Sequence, residues 1–81
     1  MYFVYVLYSI EYKKIYIGFT SDLSKRLSSH NHPLNKDYTA KFKPWILIYS
    51  ESFSSKDLAL IREKQLKTAK GRTFIKKFLP K

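Results

Sequence analysis

The chain has no cysteine, and only two of its 81 residues are glycine and three proline. The missing thiols exclude a disulfide framework and any thiolate zinc site. No apolar run approaches the ~20 residues that a membrane-spanning helix needs. The opening Met1-Tyr2-Phe3-Val4-Tyr5-Val6-Leu7 has no basic leader, and no small-residue cleavage site follows it. A signal peptide is therefore not expected, and a cytoplasmic location is. No internal repeat, low-complexity tract or linker divides the chain, so residues 1–81 are expected to form a single domain. Acid is also scarce. Six Asp and Glu face sixteen Lys and Arg, for a net charge of +10. A field that positive attracts polyanions. Nucleic acid leads as the partner class, and an anionic membrane surface ranks second.

Aromatics are what the chain has in quantity: seven Tyr, six Phe and one Trp. Large rings bury much area each, which suits the core of so small a domain. Tyr2 to Tyr8 is a continuous apolar and aromatic run, and Ile15 to Phe19 is a second. The short polar stretch between them predicts a β-hairpin. Pairing Tyr8 with Lys13 sets Tyr5 opposite Tyr16, with both phenols on one face of the sheet. Thr20 or Ser21 is placed to cap a helix over about 22–30, with Asp22 in its first turn. Leu23 and Leu27 form its buried stripe, and Arg26 and His30 a neighbouring row. Asn31 to Lys43 is polar and reads as a loop or short irregular helix, with Asp37 inside it. Trp45 to Tyr49 is a third strand. Ser54 is the expected cap of a helix from Ser55 to Lys67. A last helix spans about 70–79, with Phe74, Ile75, Phe78 and Leu79 on one side, and Pro80 stops it. The expected architecture is α+β: a small three-stranded antiparallel sheet in the order β-β-α-β-α-α, flanked by helices.

Most of the six acids have plain roles at helix starts, in loops or at a strand end. Glu63 differs, because its one-turn neighbours Ala59, Leu60 and Leu66 are apolar. A carboxylate bordering a buried face is costly unless it is paired or binds a metal. The plainer reading is a surface pair with Lys67. Arg26 offers a planar fork of donors that matches a phosphate, and His30 beside it is a candidate proton carrier. A phenol with its ordinary pKa near ~10 is a poor base at neutral pH, but nearby cations lower it.

Taken together these positions resemble the GIY-YIG nuclease superfamily, small stand-alone bacterial type, similar to the N-terminal nuclease domain of the bacterial excinuclease. Tyr16-Ile17-Gly18 is an intact YIG element, and Val4-Tyr5-Val6 holds the tyrosine on which the GIY element ends. Arg26, His30 and Glu63 follow in the family's order. The stretch from Lys43-Pro44-Trp45 through Arg62-Glu63 to Gly71-Arg72 is also similar. Two departures stand out: no Gly-Ile precedes Tyr5, and no Asn follows Glu63.

The resemblance implies an endonuclease that hydrolyses phosphodiester bonds in DNA, with RNA not excluded, using one divalent ion, Mg²⁺ or Mn²⁺. Glu63 is its sole implied protein ligand, and a single carboxylate suits Mg²⁺. Arg26 is expected to neutralise the scissile phosphate. Tyr5 or Tyr16, helped by His30, would take the proton of the attacking water, and the choice between them is open. Lys41, Lys43, Lys67, Lys70 and Arg72, with Lys76 and Lys77, are expected to contact the nucleic-acid backbone. The chain is expected to act as a monomer or weak dimer, in DNA repair or a related task. Two other readings stay open: a non-catalytic nucleic-acid-binding module on the same fold, and a ribosome-associated interaction protein.

Overall fold

A computed structural model describes residues 1–36 and 38–80 of the chain; Asp37, expected in a loop, lies outside the described residues. Strand β1 (Tyr2–Ser9) is followed by β2 (Lys14–Thr20), helix α1 (Leu23–Asn31), a 3-10 segment (Tyr38–Phe42), β3 (Ile46–Phe53), α2 (Lys56–Leu66), α3 (Ala69–Ile75) and a 3-10 turn (Lys76–Phe78). The expected β-β-α-β-α-α order and the three-stranded antiparallel sheet are both present.

The strands lie in the order β2-β1-β3, so the first strand in sequence is the central one. That place explains its unbroken apolar run. Val4, Tyr5, Val6 and Leu7 are all buried, because helices cover both faces of β1. On one face Val4, Val6 and Ile17 pack with Ala59 and Leu66 of α2 and Ile75 of α3. On the other, Tyr5, Leu7 and Trp45 pack with Tyr16, Phe42 and the Leu23 and Leu27 stripe of α1.

The hairpin register differs from the expected one by two residues. Ser9 pairs with Lys14, so Tyr5 faces Gly18 and Leu7 faces Tyr16. The four-residue loop is Ile10 to Lys13. It closes because Lys13 takes a left-handed φ of 54° and the Ser9 hydroxyl accepts the Tyr12 amide at 3.3 Å. A two-residue shift keeps the side-chain parity. The two phenols therefore still share a face, set diagonally with ring centroids 6.2 Å apart.

Several boundaries also move. Asp22 is the cap of α1 rather than part of its first turn, accepting the Lys25 amide at 3.0 Å. The Thr20 hydroxyl instead accepts the Asp22 amide at 3.1 Å. Ser55, not Ser54, caps α2. β3 runs on to Phe53 because its partner β1 is long enough to pair Tyr2 with Phe53. The last helix tightens to a 3-10 turn after Ile75, where Tyr49, Phe74 and Phe78 stack against one another. At the start of α3, Gly71 meets the backbone of Gln65 and Leu66 so closely that a Cβ would overlap it.

Candidate active site

Of the side chains singled out in the sequence, Tyr16, Arg26 and His30 gather around Tyr5. Tyr5 starts on the central strand, and its ring lies across Gly18 of the edge strand β2. A Cβ at Gly18 would stand 2.7 Å from the Tyr5 hydroxyl oxygen and 2.9 Å from Cζ. The glycine is therefore required for space, since its φ is not positive. Helix α1 lies over the same face and delivers two more groups one turn apart. His30 Nε2 and the Tyr5 hydroxyl are hydrogen-bonded at 3.0 Å, and Arg26 Nε donates to the same hydroxyl at 3.4 Å. The Tyr16 ring stands edge-on to His30, with centroids 4.8 Å apart.

Glu63 approaches differently. It stands on helix α2, which covers the opposite face of the sheet from Tyr5. Its side chain is 16% exposed, and the cation paired with it, Lys67 Nζ, is 3.9 Å away. The carboxylate lies near enough to act on the charge of Tyr5. Between the β2 edge and α3 a hollow of about 220 Å³ is lined by Ile15, Tyr16, Ile17, Lys67 and Arg72. On the other side of Arg26, a hollow of about 410 Å³ is lined by Thr20, Ser21, Asp22, Lys25, Arg26 and Ser29.

The electrostatics correct one expectation. Cations were expected to lower the tyrosine pKa. Tyr5 is only 1% exposed, and burial pushes its phenol above the ordinary value. The Arg26 hydrogen bond opposes that shift without cancelling it, while the charges of Tyr16 and Glu63 add to it. In return, the bond to Tyr5 holds the Arg26 guanidinium above its usual pKa.

The match to a family model settles the affiliation. Residues 1–77 match the model of the GIY-YIG catalytic domain. The chain belongs to the GIY-YIG family. It is 39% identical over 71 residues to a UPF0213 protein of Streptococcus pyogenes serotype M3, spanning 88% of this chain and 76% of that protein. A UPF0213 protein of Staphylococcus haemolyticus is 39% identical over 54 residues, 67% of this chain and 66% of that one. A solution structure of a UPF0213 protein from Bacillus halodurans superposes with a TM-score of 0.54 at 26% identity, covering 93% of this chain and 82% of that one. In GIY-YIG terms, Gly18 is the last letter of the YIG element, and the space it leaves is filled by the tyrosine that closes the GIY element. The family is one of nucleases, which take nucleic acid as substrate and in general depend on a divalent metal. No helix among the described residues is long and apolar enough to cross a membrane.

The cations expected to bind backbone have different immediate neighbours. Lys67 and Arg72 flank the hollow beside Tyr16. Lys43 is committed locally, its ammonium donating to the His32 carbonyl at 2.9 Å, and Lys41 is exposed on the 3-10 segment next to it. Lys70 lines a third hollow of about 320 Å³ with Arg62, Gln65 and Phe74, while Lys77 sits 5.5 Å from the Phe74 ring centroid.

The groups behind His30 carry no mark in the sequence pattern. Thr39, 2% exposed, has its Oγ1 3.0 Å from His30 Nδ1 and accepts the Asn35 amide at 2.9 Å. The same Asn35 amide donates to the His30 carbonyl at 2.9 Å, and Trp45 Nε1 donates to the Thr39 carbonyl at 2.8 Å. Asn31 grips the Trp45 backbone from both ends, at 2.7 and 2.9 Å. These residues sit in a stretch that has no hydrophobic periodicity, so no spacing or alternation singles them out.

Proposed function

We propose that this GIY-YIG chain is an endonuclease that hydrolyses phosphodiester bonds in DNA with the help of one Mg²⁺ or Mn²⁺ ion, directed by nucleic-acid shape or weakly by sequence. What supports the reading is the crowding of an imidazole and a guanidinium onto the buried Tyr5 hydroxyl, with a lone carboxylate acting on the same atom.

The donor set fits such an ion. Glu63 is sheltered and only loosely paired with Lys67. No group of three His, Asp or Glu converges among the described residues. Mg²⁺ keeps several waters and needs one carboxylate, so Glu63 would hold it alone on the protein side. Bound there, the ion would supply positive charge for the phosphate and the departing oxygen.

The chain's own groups do the rest. Arg26 is anchored through Nε, which leaves its terminal N–H donors for a phosphate oxygen. An ordinary phenol is already neutral at pH 7 and burial raises the Tyr5 pKa further, so a standing phenolate is not the base. The hydroxyl instead takes the proton of the attacking water as it gives its own to His30 Nε2. Tyr16, against the His30 edge, orients water or phosphate. Lys67 and Arg72 would hold the strand beside the cut, and Lys41, Lys43 and Lys70 would hold it further away.

The test is cleavage of plasmid, branched and flapped DNA with Mg²⁺ or Mn²⁺. Glu63→Ala should lower the rate by at least about 100-fold, the scale of losing one transition-state charge contact. Equal cleavage by that variant overturns the assignment. The absence of an Asn after Glu63 motivates the other reading, a binding module on this fold. That reading requires salt-dependent binding that Glu63→Ala leaves intact, and no metal-dependent cleavage by the parent chain.

A further inference from the structure

His30 has two ring nitrogens with two buried partners, the Tyr5 hydroxyl at Nε2 and Thr39 Oγ1 at Nδ1. A neutral imidazole carries one proton, so the partner at one nitrogen decides what the other does. With the proton on Nδ1, His30 donates to Thr39, and its Nε2 lone pair faces Tyr5. With the proton on Nε2, the direction reverses, and His30 has no free lone pair for the Tyr5 proton.

We propose that Thr39 is a positioning residue that fixes His30 in the Nδ1–H form, and that Asn35 holds Thr39 for that task. The Asn35 amide donates to Thr39 Oγ1 and to the His30 carbonyl, tying the hydroxyl to the backbone of the residue it orients. Trp45 fixes the Thr39 carbonyl from the other side. Two residues of the 31–45 stretch, Asn35 and Trp45, therefore hold Thr39 behind the ring. In this arrangement Thr39 Oγ1 accepts from both Nδ1–H and Asn35 on its two lone pairs, while the Arg26 N–H donated to the Tyr5 oxygen turns the Tyr5 proton toward Nε2. The water proton reaches the Tyr5 oxygen, the Tyr5 proton reaches Nε2, and His30 becomes the imidazolium, with no other group changing charge.

The proposal rests on the proton route given above, so the test reads the ring itself as well as the rate. Nitrogen-15 NMR of His30 in the parent chain should show a protonated Nδ1 and a bare Nε2. In Thr39→Val the population should move toward Nε2–H, and Thr39→Ser should restore the parent pattern. Cleavage should fall about 10- to 100-fold in Thr39→Val, the scale for removing a group that orients a histidine, and recover in Thr39→Ser. An Nε2–H ring in the parent chain overturns the proposal, as does a Thr39→Val ring unchanged from the parent. Should the chain cleave no DNA at all, the nuclease reading fails, while the ring signature still decides the role of Thr39. If Thr39→Val does not fold, Asn35→Ala supplies the same comparison, with a partial shift expected and an unchanged ring counting against the proposal.

Discussion

The Tyr5 hydroxyl has two neighbours that bond to it, Arg26 and His30, and two whose charge it feels, Tyr16 and Glu63. Which of them wins is visible in its pKa. Desolvation is the largest cause and raises it, because a phenolate in a nearly closed site loses its water. The unfolded phenol titrates near ~10 and the folded one higher. Below the unfolded value both states hold the proton, and stability does not depend on this group. Between the two values only the folded state holds it, so stability falls as pH rises, at up to about 1.4 kcal/mol per pH unit. Denaturant titrations from pH 9 upward should therefore show a steeper alkaline loss for the parent chain than for Tyr5→Phe. Tyr49 shifts in the same direction, mainly by burial, so the difference between the two proteins, not the loss itself, reports Tyr5. Curves of equal slope would mean that the buried phenol is not perturbed as described. That Tyr5, Tyr16, Arg26 and His30 share one face was legible in the sequence, because a motif orders them and strand and helix spacing align them. Burial is a property of the packed fold, which is why the sign of the Tyr5 shift was not legible.

At the scale of elements, the hairpin shows what strand patterning determines and what it leaves free. Two apolar runs fixed the strands, and their parity fixed which side chains share a face. The register stayed open by two residues, because Tyr8 opposite Lys13 and Ser9 opposite Lys14 both leave a four-residue turn region consistent with the polar stretch. The choice is made by Lys13 in a left-handed conformation and by what β2 carries opposite Tyr5. With Gly18 there, the phenol lies flat across the edge strand; any other residue would place a carbon in it. This gives a prediction with a decisive sign. The φ of Gly18 is not positive, so alanine is conformationally acceptable, and a lone strand would gain about 0.4–1 kcal/mol from a less flexible unfolded chain. Here the added carbon would stand 2.7 Å from a hydroxyl that His30 and Arg26 hold in place, and 3.1 Å from Tyr16 Cε1. Overpacking of this kind costs about 1–3 kcal/mol. Gly18→Ala should therefore lower the denaturation midpoint and bring cleavage down to the level of Tyr5→Phe. A stabilised Gly18→Ala would show that the ring does not lie across the glycine. The helix caps were legible only to within one residue, because Thr20, Ser21 and Asp22 all carry the right chemistry.

Across the whole molecule, a charge of +10 attracts nucleic acid before any contact forms, and it does so whichever lysines later touch the strand. Affinity alone therefore cannot tell a phosphate contact from the general field, but its salt dependence can. Each phosphate neutralised on duplex DNA steepens the slope of log affinity against log salt by about 0.9, through the counterions it releases. Lys67 and Arg72 border the hollow that Tyr16 shares, and Arg72 has no ion pair among the described residues. Lys67 is only loosely tied to Glu63, so its ammonium is free to turn toward a phosphate. Replacing each by Gln should lower the slope by about 0.9, and the double variant by about twice that, with no loss of thermal stability. Lys43 should behave otherwise. Its ammonium closes the 31–45 stretch onto the His32 carbonyl, beside the residues that hold Thr39 and Trp45. Lys43→Gln should lower thermal stability while leaving the salt slope nearly unchanged. Equal slopes for Lys67→Gln, Arg72→Gln and Lys43→Gln would mean that the strand is bound by the diffuse field alone. The hollow beside Tyr16 would then have no special part in holding the strand.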